Sequence, residues 1–128
     1  MKPKILLMDD DSELRSTLRD RLIMEGYDVQ TAPDGRFGLK LYHETPVELV
    51  ITDVLMPEMD GLEVIRVLCG TPSPPLIIAM SGGGIHNLDF LVEATEFGAS
   101  RTLSKPFRLD EFITLVNEIL NPTADPHV

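Results

Sequence analysis

The chain has one cysteine, no tryptophan and few basic residues, and these shortages exclude several classes of protein. The single cysteine among 128 residues, Cys69, cannot form an internal disulfide and is compatible with a reducing cytoplasm. With 11 basic against 21 acidic residues, the net charge of -10 argues against a nucleic-acid-binding surface in this domain. We therefore expect protein partners, or a site in which acidic side chains surround a cation.

Long apolar runs are also missing. Lys2 and Lys4 precede a run from Ile5 to Met8, which is too short to be the core of a secretory leader. No apolar segment approaches the length needed to cross a bilayer, so we expect no contact with a membrane. Since 43% of the residues are hydrophobic, we expect a folded protein, and 128 residues suffice for one domain with one core. The cysteine count and the absence of a leader-like run make the cytoplasm the expected location.

Short apolar runs alternate with helical patterns along the sequence. Five repeats of strand then helix predict a parallel sheet with helices on both faces. The proline-containing end of the chain is expected to be frayed, which gives a domain at 1–121 and a flexible tail at 122–128. Strands are predicted at 4–8, 27–32, 49–53, 76–80 and 101–103, and helices between Asp11 and Gly26 and at 36–43, 62–68, 87–97 and 109–120.

Two of the predicted helices carry informative apolar patterns. In the second helix, Phe37 and Leu41 share one side, and Gly38 weakens the helix. The fourth helix has Leu88, Leu91 and Thr95 at the spacing of a core-facing stripe. A second stripe, displaced from the first by about one residue around the helix, consists of Phe90, Ala94 and Phe97. It either widens the core contact or leaves apolar area exposed for a partner.

Polar residues stand where the predicted strands end. The strands of a parallel sheet bring their carboxyl ends to one edge, where open α/β sheets place their ligand sites. Each of these residues also has an ordinary structural interpretation, as a helix cap, a turn residue or a solvated lysine. Their common location at one edge favours a functional site. The residues are Asp9, Asp10, Asp53, Ser81 and Lys105.

Three carboxylates at one edge repel one another, so protons or a divalent cation must offset their charge. Oxygen ligands favour a hard ion, and Mg²⁺ is the usual occupant. A metal held by Asp9, Asp10 and Asp53 can bridge to a phosphoryl oxygen, while Ser81 and Lys105 can contact two others. This set suits phosphoryl transfer, and an aspartate can itself be the acceptor.

These motifs make the chain resemble the receiver domain of response regulators in bacterial two-component signalling, including the single-domain chemotaxis regulators. The resemblance runs nearly from end to end. The matching residues are Ile5 to Asp11 (ILLMDDD), Thr52 to Gly61 (TDVLMPEMDG), Met80-Ser81, Gly98-Ala99 and Lys105-Pro106-Phe107.

The resemblance implies a fold and a reaction. The fold is a flavodoxin-like, doubly wound (βα)5 domain with a parallel five-stranded sheet in the order 2-1-3-4-5. Asp53 would accept a phosphoryl group from a sensor histidine kinase or a phosphotransfer protein. The domain would be a signalling module that catalyses only its own phosphorylation and dephosphorylation. The Mg²⁺ ligands would be Asp9, Asp10, Asp53 and the backbone carbonyl of Leu55.

The resemblance also implies a switch. Ser81 and Lys105 would contact the phosphoryl group, and the peptide bond between Lys105 and Pro106 would be cis. The chain departs from the family at Thr102, where the usual switch residue is Tyr or Phe, so no large ring can swing inward. Receivers resemble one another in using the fourth helix, fifth strand and last helix to bind an effector or a second copy.

Other functions remain open at this point. A phosphatase of the dehalogenase-like type also uses an aspartate nucleophile at a strand end, but it carries a second acid two residues later, where this chain has Leu55. A receiver-like scaffold that is never phosphorylated would not need the complete acidic set and Lys105. A flavodoxin is disfavoured by the scarcity of aromatic residues near the strand ends. The sequence names neither the kinase nor the output.

Overall fold

The computed structural model describes residues 2–56, 59–82 and 87–121, although not the side chains of Asn87 and Leu88. Strands and helices alternate without exception through these residues, as the sequence predicts. The elements are β1 (Lys4–Met8), α1 (Ser12–Met24), β2 (Asp28–Ala32), α2 (Gly35–Glu44), β3 (Leu49–Asp53), α3 (Gly61–Cys69), β4 (Leu76–Ser81), α4 (Asn87–Phe97), β5 (Arg101–Ser104) and α5 (Leu109–Leu120).

The five strands form one parallel sheet in the order β2-β1-β3-β4-β5, which confirms the predicted fold class. The pairing aligns the strand ends. Met8 lies opposite Thr52 on β3, and Asp53 lies opposite Met80 on β4. Ser81 in turn lies opposite Ser104 on β5. The residues that follow the strands therefore meet at a single edge of the sheet.

The three inner strands are buried on both faces, and alternate residues enter two separate cores. On β1, Leu6 and Met8 face a core formed with α2, α3 and α4. Ile5 and Leu7 face the opposite core, formed with α1 and α5. The period of two along the strand produces this division. The end of each inner strand is thus fixed by packing from both sides.

Capping side chains set two helix boundaries that differ slightly from the prediction. The second helix begins at Gly35 because Asp34 accepts a hydrogen bond from the backbone N–H of Phe37. The third begins at Gly61, since Asp60 caps it through the N–H of Glu63. The first is capped by Asp11, one of the two predicted candidates.

Of the two residues predicted to share the apolar side of α2, Leu41 packs partly buried against the core, as expected, and Phe37 does not. Phe37 is exposed, and the residues that face the sheet include Gly38 and Tyr42. A Cβ atom at Gly38 would lie 2.1 Å from the sulfur of Met8, so only glycine permits this close approach of α2 to β1. The glycine that weakens the helix locally is required by its packing.

The two stripes predicted for α4 are not separate in the structure, because residues of both contact the core. Leu91 and Ala94 are buried, Phe90 packs partly buried against the same core, and Phe97 is 37% exposed. Thr95 is exposed, and its hydroxyl donates to the carbonyl oxygen of Leu91. The core-facing stripe therefore includes residues assigned to the second stripe, and Phe90 belongs to the core contact.

Several predictions fall on residues outside the described ranges. They concern positions 57 and 58 of the motif TDVLMPEMDG, the side chain of Leu88 and the tail at 122–128. Among the helices of the described residues, none combines the length and the hydropathy required to cross a bilayer.

Candidate functional site

Three aspartates gather at the carboxyl edge of the sheet. Asp9 and Asp10 directly follow β1, and Asp53 is the last residue of β3. Each offers a carboxylate oxygen, and these oxygens lie within 4.8 Å of one another. Asp9 and Asp53 are buried, whereas Asp10 is exposed. The site therefore combines a desolvated pair of acids with one that solvent reaches.

Lys105 connects the two buried acids. Its Nζ atom lies 2.9 Å from Oδ2 of Asp9 and 2.8 Å from Oδ2 of Asp53. The backbone holds the lysine in place, because its N–H donates to the carbonyl of Ser81 at 2.7 Å. The peptide bond between Lys105 and Pro106 is cis, as the resemblance implies. One ammonium group thus spans the ends of two strands.

The charges at this site are strongly coupled. Burial raises the pKa of Asp53 above its ordinary value, and the charge of Asp9 adds to the rise. Hydrogen bonds and the charge of Lys105 oppose the rise without cancelling it. Burial by itself lowers the pKa of Lys105, but its hydrogen bonds to Asp53 and Asp9 outweigh this effect and raise the pKa. The lysine is held as a cation, while ionised Asp53 is less stable than an exposed aspartate.

The carboxylate of Asp53 is held at both oxygens. Oδ1 accepts a hydrogen bond from the backbone N–H of Leu55 at 3.2 Å, and Oδ2 accepts from Lys105. The first turn of α3 packs directly against the backbone of Asp53, since a Cβ atom at Gly61 would collide with the carbonyl oxygen of Asp53. The Gly61 N–H also donates to the carbonyl of Val54 at 2.7 Å. Packing and hydrogen bonds together fix the acid at the end of β3.

The other predicted site residues lie nearby but are not part of the acidic group. Ser81 is buried at the end of β4, and its hydroxyl donates to the carbonyl of Gly82 at 3.4 Å. Thr102 is half-buried in β5 opposite Ala79, two positions before the edge. Pro106 is exposed. The structure therefore brings together Asp9, Asp10, Asp53 and Lys105, with Ser81 and Thr102 on the adjoining strands.

One contact of the site was missed by sequence reasoning. Nη1 of Arg15 donates to the backbone carbonyl of Asp9 at 2.7 Å. The only signal available in the sequence is the position of Arg15, four residues after the helix cap Asp11, which places it in the first turn of α1. An arginine at this position reads as an ordinary surface residue until the path of the turn is known.

The acidic group fits a hard divalent cation. Its ligand atoms are carboxylate oxygens only, and within the described residues the group contains neither histidine nor cysteine. Two of its acids are buried beside a single lysine, so the cluster carries excess negative charge that a cation would offset. This donor set, at the edge where the strands end, is compatible with Mg²⁺.

Comparison with known proteins agrees with this geometry. Residues 5–117 match the family described as the response regulator receiver domain. The chain is 36% identical over 125 residues to the response regulator MprA of Mycolicibacterium vanbaalenii, covering 97% of the chain and 53% of that protein. It is 38% identical over 117 residues to the transcriptional regulatory protein CpxR of Escherichia coli K12, covering 91% and 49% respectively. The chain thus spans about half the length of these curated relatives.

A solved structure shows the same fold over almost the whole chain. The chemotaxis response regulator CheY4 of Vibrio cholerae superposes with a TM-score of 0.84 at 26% identity. The match covers 93% of this chain and 99% of that one. The strand order, the acidic edge and the family match therefore all agree with a receiver domain.

Proposed function

The chain belongs to the response regulator receiver family, and we propose that it is a phosphorylation-activated switch whose phosphoacceptor is Asp53. The observation that carries the proposal is the geometry at Asp53. Its carboxylate lies at the edge of the sheet, with a lysine 2.8 Å from one oxygen and two further acids close by. A nucleophile, a cation and a set of metal ligands thus share one small site.

The metal ligands in this proposal are the carboxylates of Asp9, Asp10 and Asp53 and the backbone carbonyl of Leu55. When bound, Mg²⁺ would contact phosphoryl oxygens and reduce the repulsion between the phosphodonor and the acids. Lys105, directly after β5, supplies a second positive charge. Its raised pKa keeps it protonated, so it can pair with an anionic oxygen throughout the reaction.

The reaction transfers a phosphoryl group from a phosphohistidine of a sensor kinase or phosphotransfer protein. An oxygen of Asp53 forms a bond to phosphorus as the bond from phosphorus to the histidine nitrogen breaks, and the electron pair leaves with the imidazole. Burial raises the pKa of Asp53 in the metal-free site, and Mg²⁺ bound beside this acid would oppose that rise and so favour the ionised, nucleophilic carboxylate. The domain is a signalling module that catalyses only its own phosphorylation and dephosphorylation.

The response to phosphorylation involves Ser81, Thr102, Lys105 and Pro106. Once Asp53 carries the phosphoryl group as an acyl phosphate, its charge lies on the phosphoryl oxygens, and Lys105 pairs with one of them. Ser81 donates its hydroxyl to another phosphoryl oxygen and so draws the end of β4 toward the site. Because Thr102 is small, the signal passes through the backbone of β4 and β5 to the surface formed by α4, β5 and α5. An effector or a second copy binds there.

Acetyl phosphate with Mg²⁺ tests the phosphoacceptor. Intact-mass measurement is expected to show one phosphoryl adduct on the unmodified chain and none on Asp53→Asn, because the amide is not a nucleophile. Asp34→Asn is the matched control, since asparagine also caps α2 and leaves the site untouched. An equal yield of adduct on Asp53→Asn would refute the assignment, and omission of Mg²⁺ is expected to reduce the yield.

A further inference from the structure

Arg15 lies beside the acidic site without touching a carboxylate. Its guanidinium donates to the backbone carbonyl of Asp9 at 2.7 Å, and the side chain is half-buried. That carbonyl belongs to the peptide group that joins Asp9 to Asp10. A bond to this oxygen therefore fixes the plane of the peptide from which the next residue, Asp10, extends.

The two neighbouring aspartates are held in very different ways. The carboxylate of Asp9 accepts a hydrogen bond from the N–H of Asp11 at 2.9 Å and another from Lys105. The carboxylate of Asp10 is exposed, and within the described residues it accepts no hydrogen bond from another side chain or from the backbone. Its position relative to Asp53 depends on its backbone, which Arg15 helps to hold.

We propose that Arg15 is a positioning residue of the metal site, which orients Asp10 by fixing the peptide between Asp9 and Asp10. The inference rests on the proposed function, because it assigns Arg15 a task in Mg²⁺ binding. A charge-assisted hydrogen bond from a planar guanidinium gives a well-defined direction. Since Arg15 lies in the first turn of α1, the helix anchors the donor.

A positioning role and a purely electrostatic role predict opposite changes in Mg²⁺ affinity when Arg15 is removed. A positive charge near the acids repels Mg²⁺, so a purely electrostatic role predicts tighter Mg²⁺ binding when Arg15 is removed. A positioning role predicts weaker binding, because Asp10 must then be ordered by the ion. At about 0.15 M salt, screening over roughly 8 Å weakens the electrostatic effect of this half-exposed group and leaves the geometric effect intact.

The experiment compares Arg15→Met with Arg19→Met by NMR titration of the folded protein with Mg²⁺. Arg19 is a close control, because it is half-buried one helical turn further along α1 and pairs with the exposed Asp20. The dissociation constant for Mg²⁺ is expected to rise about three- to tenfold in Arg15→Met, as for the loss of one hydrogen bond. It is expected to stay unchanged in Arg19→Met. Arg15→Lys, which keeps a cationic donor, is expected to recover most of the affinity.

A double variant tests whether Arg15 acts through Asp10. In an Asp10→Asn background, Arg15→Met is expected to change the dissociation constant by less than about twofold, because the residue that Arg15 positions no longer provides a carboxylate. Tighter or unchanged binding in Arg15→Met overturns the inference, as does an equal loss in Arg19→Met or in the Asp10→Asn background. If the unmodified chain forms the adduct and binds Mg²⁺ normally in these cases, the proposed function stands. Failure of the unmodified chain to bind Mg²⁺ overturns both.

Discussion

The two halves of the sheet edge differ in how tightly they are held. At the ends of β1 and β3, Asp9 and Asp53 are buried and joined through Lys105 by contacts of 2.9 and 2.8 Å. Around β5 the chain is more open, with Thr102 half-buried and Ser104 exposed. One half presents fixed groups, which chemistry requires, and the other leaves its residues more accessible to solvent.

The cause of this difference is the place of each strand in the sheet. The inner strands have a neighbour on each side and helices on both faces, so their ends have little freedom. β5 is an edge strand with a single neighbour, β4, and its only ion pair among the described residues joins exposed Arg101 to exposed Glu118. Substitutions that remove charge should therefore have large effects in the first half and small effects in the second.

The largest effect is expected from Lys105→Ala. Without Mg²⁺ the variant leaves two buried carboxylates unpaired, and the free energy of unfolding at neutral pH is expected to fall by about 3 kcal/mol. Mg²⁺ affinity is expected to be unchanged or higher, because a cation beside the ligands is gone. The change in amide exchange on phosphorylation should shrink. Denaturant titration, Mg²⁺ titration and hydrogen exchange measure these three quantities.

Arg101→Ala is the control from β5, the strand with a single neighbour, although Arg101 begins that strand and does not lie at its carboxyl end. It breaks the exposed pair with Glu118, which is expected to cost less than about 0.5 kcal/mol. Equal destabilisation by the two variants would contradict the contrast between the halves. A large loss of Mg²⁺ affinity in Lys105→Ala would contradict the role given to this lysine.

A smaller effect of the opposite sign is expected from Asp53→Asn. Because burial raises the pKa of Asp53, the folded protein favours the protonated acid, and stability is lost as the pH rises from 3.8 through the raised pKa. The asparagine does not titrate, so without Mg²⁺ this variant should melt about 2–5 °C higher at pH 7. The difference in melting temperature between the variant and the unmodified chain should disappear as the pH is lowered through the raised pKa toward 3.8. Calorimetry across the pH range would reveal an error if the difference stayed constant or changed sign.

The sequence predicted most of the site because its residues directly follow apolar runs. Once a run such as Leu49 to Asp53 is assigned to an inner strand, the sheet topology alone brings its end to the common edge. Contacts that depend on the path of a turn or on the packing of a helix against a strand were not predictable in this way. The contact of Arg15 with Asp9 depends on the path of a turn, and the exposure of Phe37 depends on how closely Gly38 approaches Met8. Helical periodicity indicates which residues share a side of a helix. It does not indicate how closely that side packs against the neighbouring strand.

The helix α4 offers the last comparison, between a buried and an exposed apolar residue on one element. Phe90 packs against the core, so Phe90→Ala is expected to cost about 2 kcal/mol and is a poor probe of a partner surface. Val92 is 56% exposed, and an apolar side chain of that exposure on a face that binds a partner should matter mainly for association.

The smallest effect on folding is therefore expected from Val92→Thr, which replaces one methyl group by a hydroxyl. Its free energy of unfolding should change by less than about 0.5 kcal/mol, and the phosphoryl adduct on Asp53 should form at the normal yield. Association in the presence of acetyl phosphate and Mg²⁺ should weaken about three- to fivefold, because one methyl group no longer enters the interface. Light scattering with and without the phosphodonor measures this change. If association is unaffected in Val92→Thr, while Phe90→Ala loses it without loss of stability, then the partner surface lies on the side of α4 that includes Phe90.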